Sequence, residues 1–243
     1  MALNWTCESV RLSLFSSQAV RLSPENWTAL SGQEEAEQEQ KGTGRHVFAG
    51  PMLGGQFTLG AIANRCDCIL GPVGAVGPPE DGIPSVGAWP VALEGFQKLT
   101  EPFLEKLHFP VTRMALAPVL VHPFHERIEA YTALMSLLKS IKQPADALHD
   151  LLFRVNWPTD SAAVHGLSIN RLTTWSVLQY QIQVFAADGP TSFMDVVSHG
   201  LRLEMDHNTD QKYVGPFDAG QLVPIYKELT NLALQNAAEG EVL

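Results

Sequence analysis

The sequence predicts an α+β protein built as a tandem duplication. A strand-helix-strand-strand(-strand)-helix module occurs twice, with antiparallel sheets and helices packed on one face. Three observations lead there. Stretches of period two and period 3.6 follow one another in the same order in both halves. Short segments match at corresponding places: "VRLSL" (10–14) with "TRMAL" (112–116), "ENWTAL" (25–30) with "IEAYTAL" (128–134), and "GQFTL" (55–59) with "GLSIN" (166–170). Apolar residues make up 45% of the 243 positions, enough to build a substantial core. The modules divide into 1–108 and 109–243, with one fused α+β domain as the alternative reading.

The first half opens with the alternating strand "VRLSLF" (10–15). In "SPENWTALSG", Ser23 caps a helix, Pro24 suits its first position and Gly32 stops it. The run 32–44, "GQEEAEQEQKGTG", has no apolar anchor and reads as a solvated, flexible acidic loop. "HVFAGPML" (46–53) and "GQFTLGAIANRCDCIL" (55–70) give two or three strands around a Gly54–Gly55 turn. Residues 71–87 hold five Gly and four Pro and form a long loop. Val91, Leu93, Phe96, Leu99, Phe103 and Leu107 recur at helical spacing, and Pro102 is expected to kink or divide that helix.

The second half starts with the strand "VTRMALAPVLV" (111–121) and a helix from Glu126 to Ile141. "LLFRVNWP" (151–158) is the next strand, residues 165–185 read as a strand pair, and "GLRLEMDHN" (200–208) follows. The last helix spans Gln221–Ala237, with Pro224 in its first turn.

Composition narrows the function. Charged residues are 17% of the chain, against roughly 25% in an average globular protein. A surface so poor in charge points to burial in a partner or subunit contact. The net charge of −10 and the scattered Lys and Arg argue against a phosphate-binding surface, so no nucleic-acid partner is expected. The start "MALNWTCESVRLSLF" lacks a basic region followed by a long apolar run, and no window suits a membrane helix. Cys7, Cys66 and Cys68 do not make a disulfide framework. The expectation is a cytoplasmic protein with free thiols and no membrane partner.

The densest group of potential ligands is "LRLEMDHNTD" (201–210). Strand alternation sends Leu201, Leu203 and Met205 one way and Arg202, Glu204 and Asp206 the other, with His207 to Asp210 in the following turn. Asp206, Asn208 and Asp210 begin a calcium-loop pattern, but Gln211 and Phe217 stand where Gly and Glu are required. His122, His125 and Glu126 have the wrong spacing for a zinc-protease helix, and Cys66 and Cys68 have no second pair to complete a zinc site. The loop 71–87 carries no phosphate-binding fingerprint, and no nucleophile elbow occurs. No metal, no cofactor and no catalytic residue is therefore assigned.

A second group joins two strands. "FRVNWP" and "SINRLTTWSV" carry Arg154, Asn156, Asn170, Arg171 and Trp175. Arg171, Thr173 and Trp175 share one face by alternation, and Arg with Trp is a pairing enriched in recognition surfaces; the favoured reading is a Trp at a core edge with Arg covering its ring. The candidate binding residues are Arg154, Asn156, Asn170, Arg171, Trp175, Glu204, Asp206 and His207.

In element order alone, the duplicated plan resembles the effector-binding modules of the GyrI-like and heme-binding SOUL type. No motif accompanies the resemblance, and it implies no functional residue here. The expected function is a non-catalytic intracellular binding protein that acts through self-association, as a homo-oligomer, and through protein–protein contact. The alternative is a small-molecule sensor or carrier with a pocket between the modules, holding polar groups such as Arg171 and Glu204. A third reading is a metal-dependent hydrolase built on Asp206, His207 and nearby histidines.

Overall fold

The computed structural model describes residues 3–73, 83–181 and 197–241. Its strands are β1 (Thr6–Ser16), β2 (Gln38–Gly42), β3 (Arg45–Met52), β4 (Gly55–Ile62), β5 (Arg65–Gly71), β6 (Val111–Phe124), β7 (Leu152–Asn156), β8 (Thr159–Asp160), β9 (Ser168–Gln181) and β10 (Val197–Thr209). The helices are α1 (Pro24–Ser31), α2 (Trp89–Glu105), α3 (Arg127–Leu137) and α4 (Ala219–Glu239).

All ten strands join one sheet in the order β2-β3-β4-β5-β1-β6-β10-β9-β7, with β8 also on β9, and every pairing is antiparallel. The fold is thus mixed α+β. The centre is the β1–β6 pair, running from Thr6 opposite Val121 to Ser16 opposite Val111. From it the order reads outward as β5-β4-β3-β2 on one side and β10-β9-β7 on the other.

The helices cover one face. α2 lies on β1 and packs against α4, which lies on β6 and β10; α3 covers β9, β10 and β6, and α1 packs on α2. The face beneath them is the one on which Leu12, Leu116, Leu203 and Trp175 are fully buried. The helix layer is stitched as well as packed. The Thr100 hydroxyl meets that of Tyr226 at 2.8 Å between α2 and α4. Trp5 Nε1 donates to the Ala237 carbonyl at 2.9 Å, and the Trp5 ring lies 6.2 Å from that of Trp175.

Several sequence expectations need correction. Within the polar run 32–44, expected to be a flexible loop, Gln38–Gly42 form edge strand β2. A strand at an edge needs no apolar face. The tight turn at Thr43–Gly44, with Gly44 at φ 68°, returns the chain onto β3. His46 then ties the hairpin down, through Leu22 O at 3.0 Å and Glu39 at 2.7 Å.

Pro102 does not divide α2, which runs unbroken from Trp89 to Glu105. It sits near the helix C-terminus, and the carbonyl whose helical donor it removes belongs to Lys98, an exposed residue. Helix α3 stops at Leu137 rather than Ile141 because a distant segment captures its end. The Glu241 N–H donates to Leu137 O at 2.9 Å, and its carboxylate accepts from Ser140 N–H at 2.7 Å.

Residues 168–181 make one long strand, not a pair, since "SINRLTTWSVLQYQ" contains no Gly or Pro to break it. Residues 182–185 of that expected pair, and 74–82 of the expected loop 71–87, lie outside the described residues. Strand β10 continues through His207, Asn208 and Thr209, which pair with Arg171, Asn170 and Ile169. The turn begins only at Asp210, whose carboxylate accepts from the Lys212 N–H at 2.9 Å.

Candidate functional site

Among the described residues one face of the sheet carries no helix, and its residues follow from the registers. Facing partners in an antiparallel ladder share a face, and alternation carries the assignment along each strand. One row crosses Asn156, Leu172, Asp206, Ala117, Arg11 and Ile69 on six adjacent strands. The next crosses Arg154, Thr174, Glu204, Val119 and Ser9. These two rows form a groove of about 540 Å³, open to solvent along the sheet. Its floor is small or apolar: Ala117, Val119, Ser9, Leu172 and Thr174. Charged groups rise from it, Arg11 on β1, Glu204 and Asp206 on β10, and Arg154 on β7, with Leu152 at its margin 65% exposed.

Two networks hold the charged groups around the groove. At one end the Arg202 guanidinium donates to both Glu8 carboxylate oxygens at 3.0 Å and also meets Glu204. Burial opposes charge on Arg202, but Glu8 and Glu204 outweigh it, so its pKa is raised and it stays cationic. Tyr180 sits beside this cluster, its phenol pushed up to about 12 by burial and by Glu8. At the other end an amide ladder crosses four strands. Asn156 donates to Asn170 at 3.0 Å, and Asn170 donates to Asn208 at 3.2 Å. The Asn208 carbonyl also accepts from Arg113 at 2.9 Å, and its amide donates to Asp206 at 3.0 Å. The Arg113 guanidinium lies 5.2 Å from the centre of the Phe15 ring. The chain of amides fixes Asp206 and Arg113 in place without neutralising Asp206.

Arginine is distributed unevenly. Six of the nine arginines (11, 45, 65, 113, 154 and 202) occupy helix-free positions by register, and none of the seven lysines does. A merely solvated strand face carries Lys as readily as Arg. Enrichment of Arg with depletion of Lys is the composition of protein contact surfaces. Among the described residues Arg11 and Arg154 have no carboxylate partner within salt-bridge distance.

The sequence-selected residues divide between the two faces. Arg154, Asn156, Asn170, Glu204 and Asp206 come together on the groove side. Arg171, Trp175 and His207 do not; they point under the helices and are buried. Trp175 packs on Trp5, and Arg171 donates to Asn236 of α4 at 3.0 Å. Burial lowers the Arg171 pKa, and Glu239 opposes that shift. His207 is fully buried, and neither ring nitrogen has a hydrogen bond. Burial drives its pKa down to about 4, and the Arg171 charge adds to the effect. The Leu229 backbone works against it. Asp206 and His207, adjacent in sequence, therefore sit on opposite sides of β10, and Arg171 and Glu204 are likewise separated by the sheet.

Arg11, Arg113, Ala117 and Val119 belong to the same face and were not singled out from the sequence. Their signal was present in the alternation of "VRLSLF" and "VTRMALAPV", which sends them away from the core.

Chemically the groove offers guanidinium and carboxylate groups, two hydroxyls and an apolar floor. Ser13 donates to Asp67 at 2.6 Å on this face, and no histidine completes that pair within hydrogen-bond distance among the described residues. Among those residues no three His, Cys, Asp or Glu side chains cluster as metal ligands. No helix among them is long and apolar enough to cross a membrane. No protein-family model, curated protein or solved structure matches the chain.

Proposed function

We propose that this chain is a non-catalytic binding protein whose contact surface is the helix-free face of the sheet. The observation that carries the reading is the groove itself: a floor of small and apolar residues between two arginines that have no carboxylate partner among the described residues, on a face with six arginines and no lysine. An antiparallel sheet commonly leaves one face to water, but such a face is then polar throughout. Here Leu172, Val119, Ala117 and Ile69 occupy its middle, and Leu152 stands largely exposed beside them. Desolvating these groups while pairing the arginines is what a protein contact does.

The duplication belongs to this proposal. A β-α-β-β-β-α unit used twice and joined through β1 and β6, with one further short strand in each half (edge strand β2 in the first, the two-residue β8 in the second), accounts for the strand order on either side of that pair. It also accounts for a helix following the first strand of each half. On this view the groove lies mainly on the second unit and reaches across the junction to β1 and β5. The reading keeps the protein in the cytoplasm, where its buried Cys7, Cys66 and Cys68 remain thiols. Self-association is one form the contact takes.

A groove-blocking variant, Ala117→Arg with Val119→Arg, tests the reading. Wild-type protein and variant are compared by native mass spectrometry, alone and after capture of partners. Complexes that form with the wild type and vanish with the variant support it. Complexes indifferent to the block refute it. A second reading, a charged small molecule held between Arg11, Arg154, Glu204 and Asp206, is favoured by the mixed charges and the volume of about 540 Å³. It predicts a small-molecule mass adduct that the same variant abolishes.

A further inference from the structure

The proposed contact face has features that select one kind of occupant, and this inference rests on that reading. An extended peptide is poorly served by the middle of a sheet. Its own N–H and C=O groups need partners, and a sheet offers those only at its edges, not on its face. Both edges here are difficult to extend. Strand β2 is five residues of Gln, Glu, Lys and Gly, and β7 is followed by Trp157–Pro158 before the two-residue β8. A helix satisfies its backbone internally and presents only side chains.

The groove's dimensions suit a helix. Arg11 on β1 and Arg154 on β7 are separated by β6, β10 and β9. At about 4.8 Å per strand their backbones stand about 19 Å apart before curvature shortens the span. Both side chains line the groove, and a backbone span of that size leaves room between them for a helix roughly 10 Å wide. Charge sets the rest. Glu204 is matched by Arg202, and Asp206, which accepts from the Asn208 amide, remains a carboxylate on the groove floor, whereas Arg11 and Arg154, at the two sides, have no carboxylate partner among the described residues. Two copies of the groove do not complement each other in shape, because both are hollow at the same place.

We infer that the groove receives an amphipathic helix from a partner protein. That helix carries a stripe of small or apolar residues toward Ala117, Val119 and Leu172, and Asp or Glu on both flanks toward Arg11 and Arg154. This is helix-in-groove recognition with charge fixing the register.

The test uses a display library of helical peptides of about five turns with randomised surface positions, selected against the full chain. The expected result is enrichment of an apolar stripe flanked by Asp or Glu. Bound peptides protect β1, β6 and β10 amides from hydrogen exchange. The double reversal Arg11→Glu with Arg154→Glu weakens those peptides by at least about tenfold, and reselection on it returns Lys or Arg flanks. Both arginines are exposed, so the variant is expected to fold, and an unchanged urea midpoint checks it.

Absence of enrichment, or enriched peptides without acidic flanks, overturns the inference. If such peptides still protect the groove, the contact face itself stands. If protection falls elsewhere, both readings fail. A concentration-dependent dimer that the double reversal dissolves assigns the groove to a second copy of the chain and overturns the partner helix.

Discussion

His207 makes the stability of this protein depend on pH between the ordinary imidazole pKa and its depressed value in the fold. The imidazole is fully buried among Arg171, Thr173 and α4, without a hydrogen bond, and its pKa falls from 6.5 to about 4. Because the folded pKa is the lower one, the unfolded chain binds more protons between these values, so stability declines as pH falls. The stabilising contribution is fully present above about pH 6.5 and is lost progressively toward pH 4. Linkage with those two pKa values gives a loss of about 2 kcal/mol between pH 8 and pH 5, approaching about 3 kcal/mol below pH 4.

The assay is urea unfolding at pH 8, 6.5 and 5 for the wild type and for His207→Leu. Leu has no titrating group, so its absolute stability is immaterial and only the difference between the two pH slopes is read. Surface carboxylates contribute equally to both proteins and cancel. The wild-type curve is expected to fall more steeply than the variant's by about 2 kcal/mol over that range. Parallel slopes would refute the reasoning, because a burial-depressed imidazole cannot be removed without flattening the profile.

Three further outcomes are expected. Glu228 on α4 accepts from the Ser161 hydroxyl at 2.5 Å, the Ala162 N–H at 2.6 Å and the Ala163 N–H at 3.3 Å. Glu228→Ala should therefore cost about 1–3 kcal/mol in urea unfolding and speed hydrogen exchange at 162 and 163. Gly240 has φ 75°, and a Cβ there would lie 2.6 Å from the Leu137 carbonyl. Gly240→Ala should lower the melting temperature and release the Glu241 contacts, seen as faster exchange at Ser140. Trp175→Ala should cost about 3–5 kcal/mol by urea unfolding, as expected for removing a fully buried indole.

The long alternating strands and helix α2 were legible because tertiary structure reinforced their local pattern. Strand β2 was not, since an edge strand of Gln, Glu and Lys has no hydrophobic period to detect. The end of α3 was not, since Glu241, a hundred residues away, determines it. Within the candidate site, alternation correctly grouped Glu204 with Asp206, and Arg171 with Trp175. Period two states which residues share a face but not which face the helices take. Arg171 and Trp175 were therefore weighed as a recognition surface when they lie in the core. Arg11 escaped notice for a related reason. Only the order β5-β1-β6-β10-β9-β7 brings a residue of the first strand to the same hollow as Arg154.

The junction between β1 and β6 also bears on how the chain is made. Val10 pairs with Pro118 and Leu14 with Met114, so the centre of the sheet is closed by segments about a hundred positions apart. A ribosome must deliver most of the first 124 residues before β1 acquires its second neighbour. Until then an eleven-residue strand rich in Val and Leu presents one bare edge. Any fragment ending near residue 108 keeps that edge permanently open, and its natural fate is aggregation or capture by a chaperone. Closing such distant segments is slow, so the nascent protein is most vulnerable in the interval before its own sixth strand arrives.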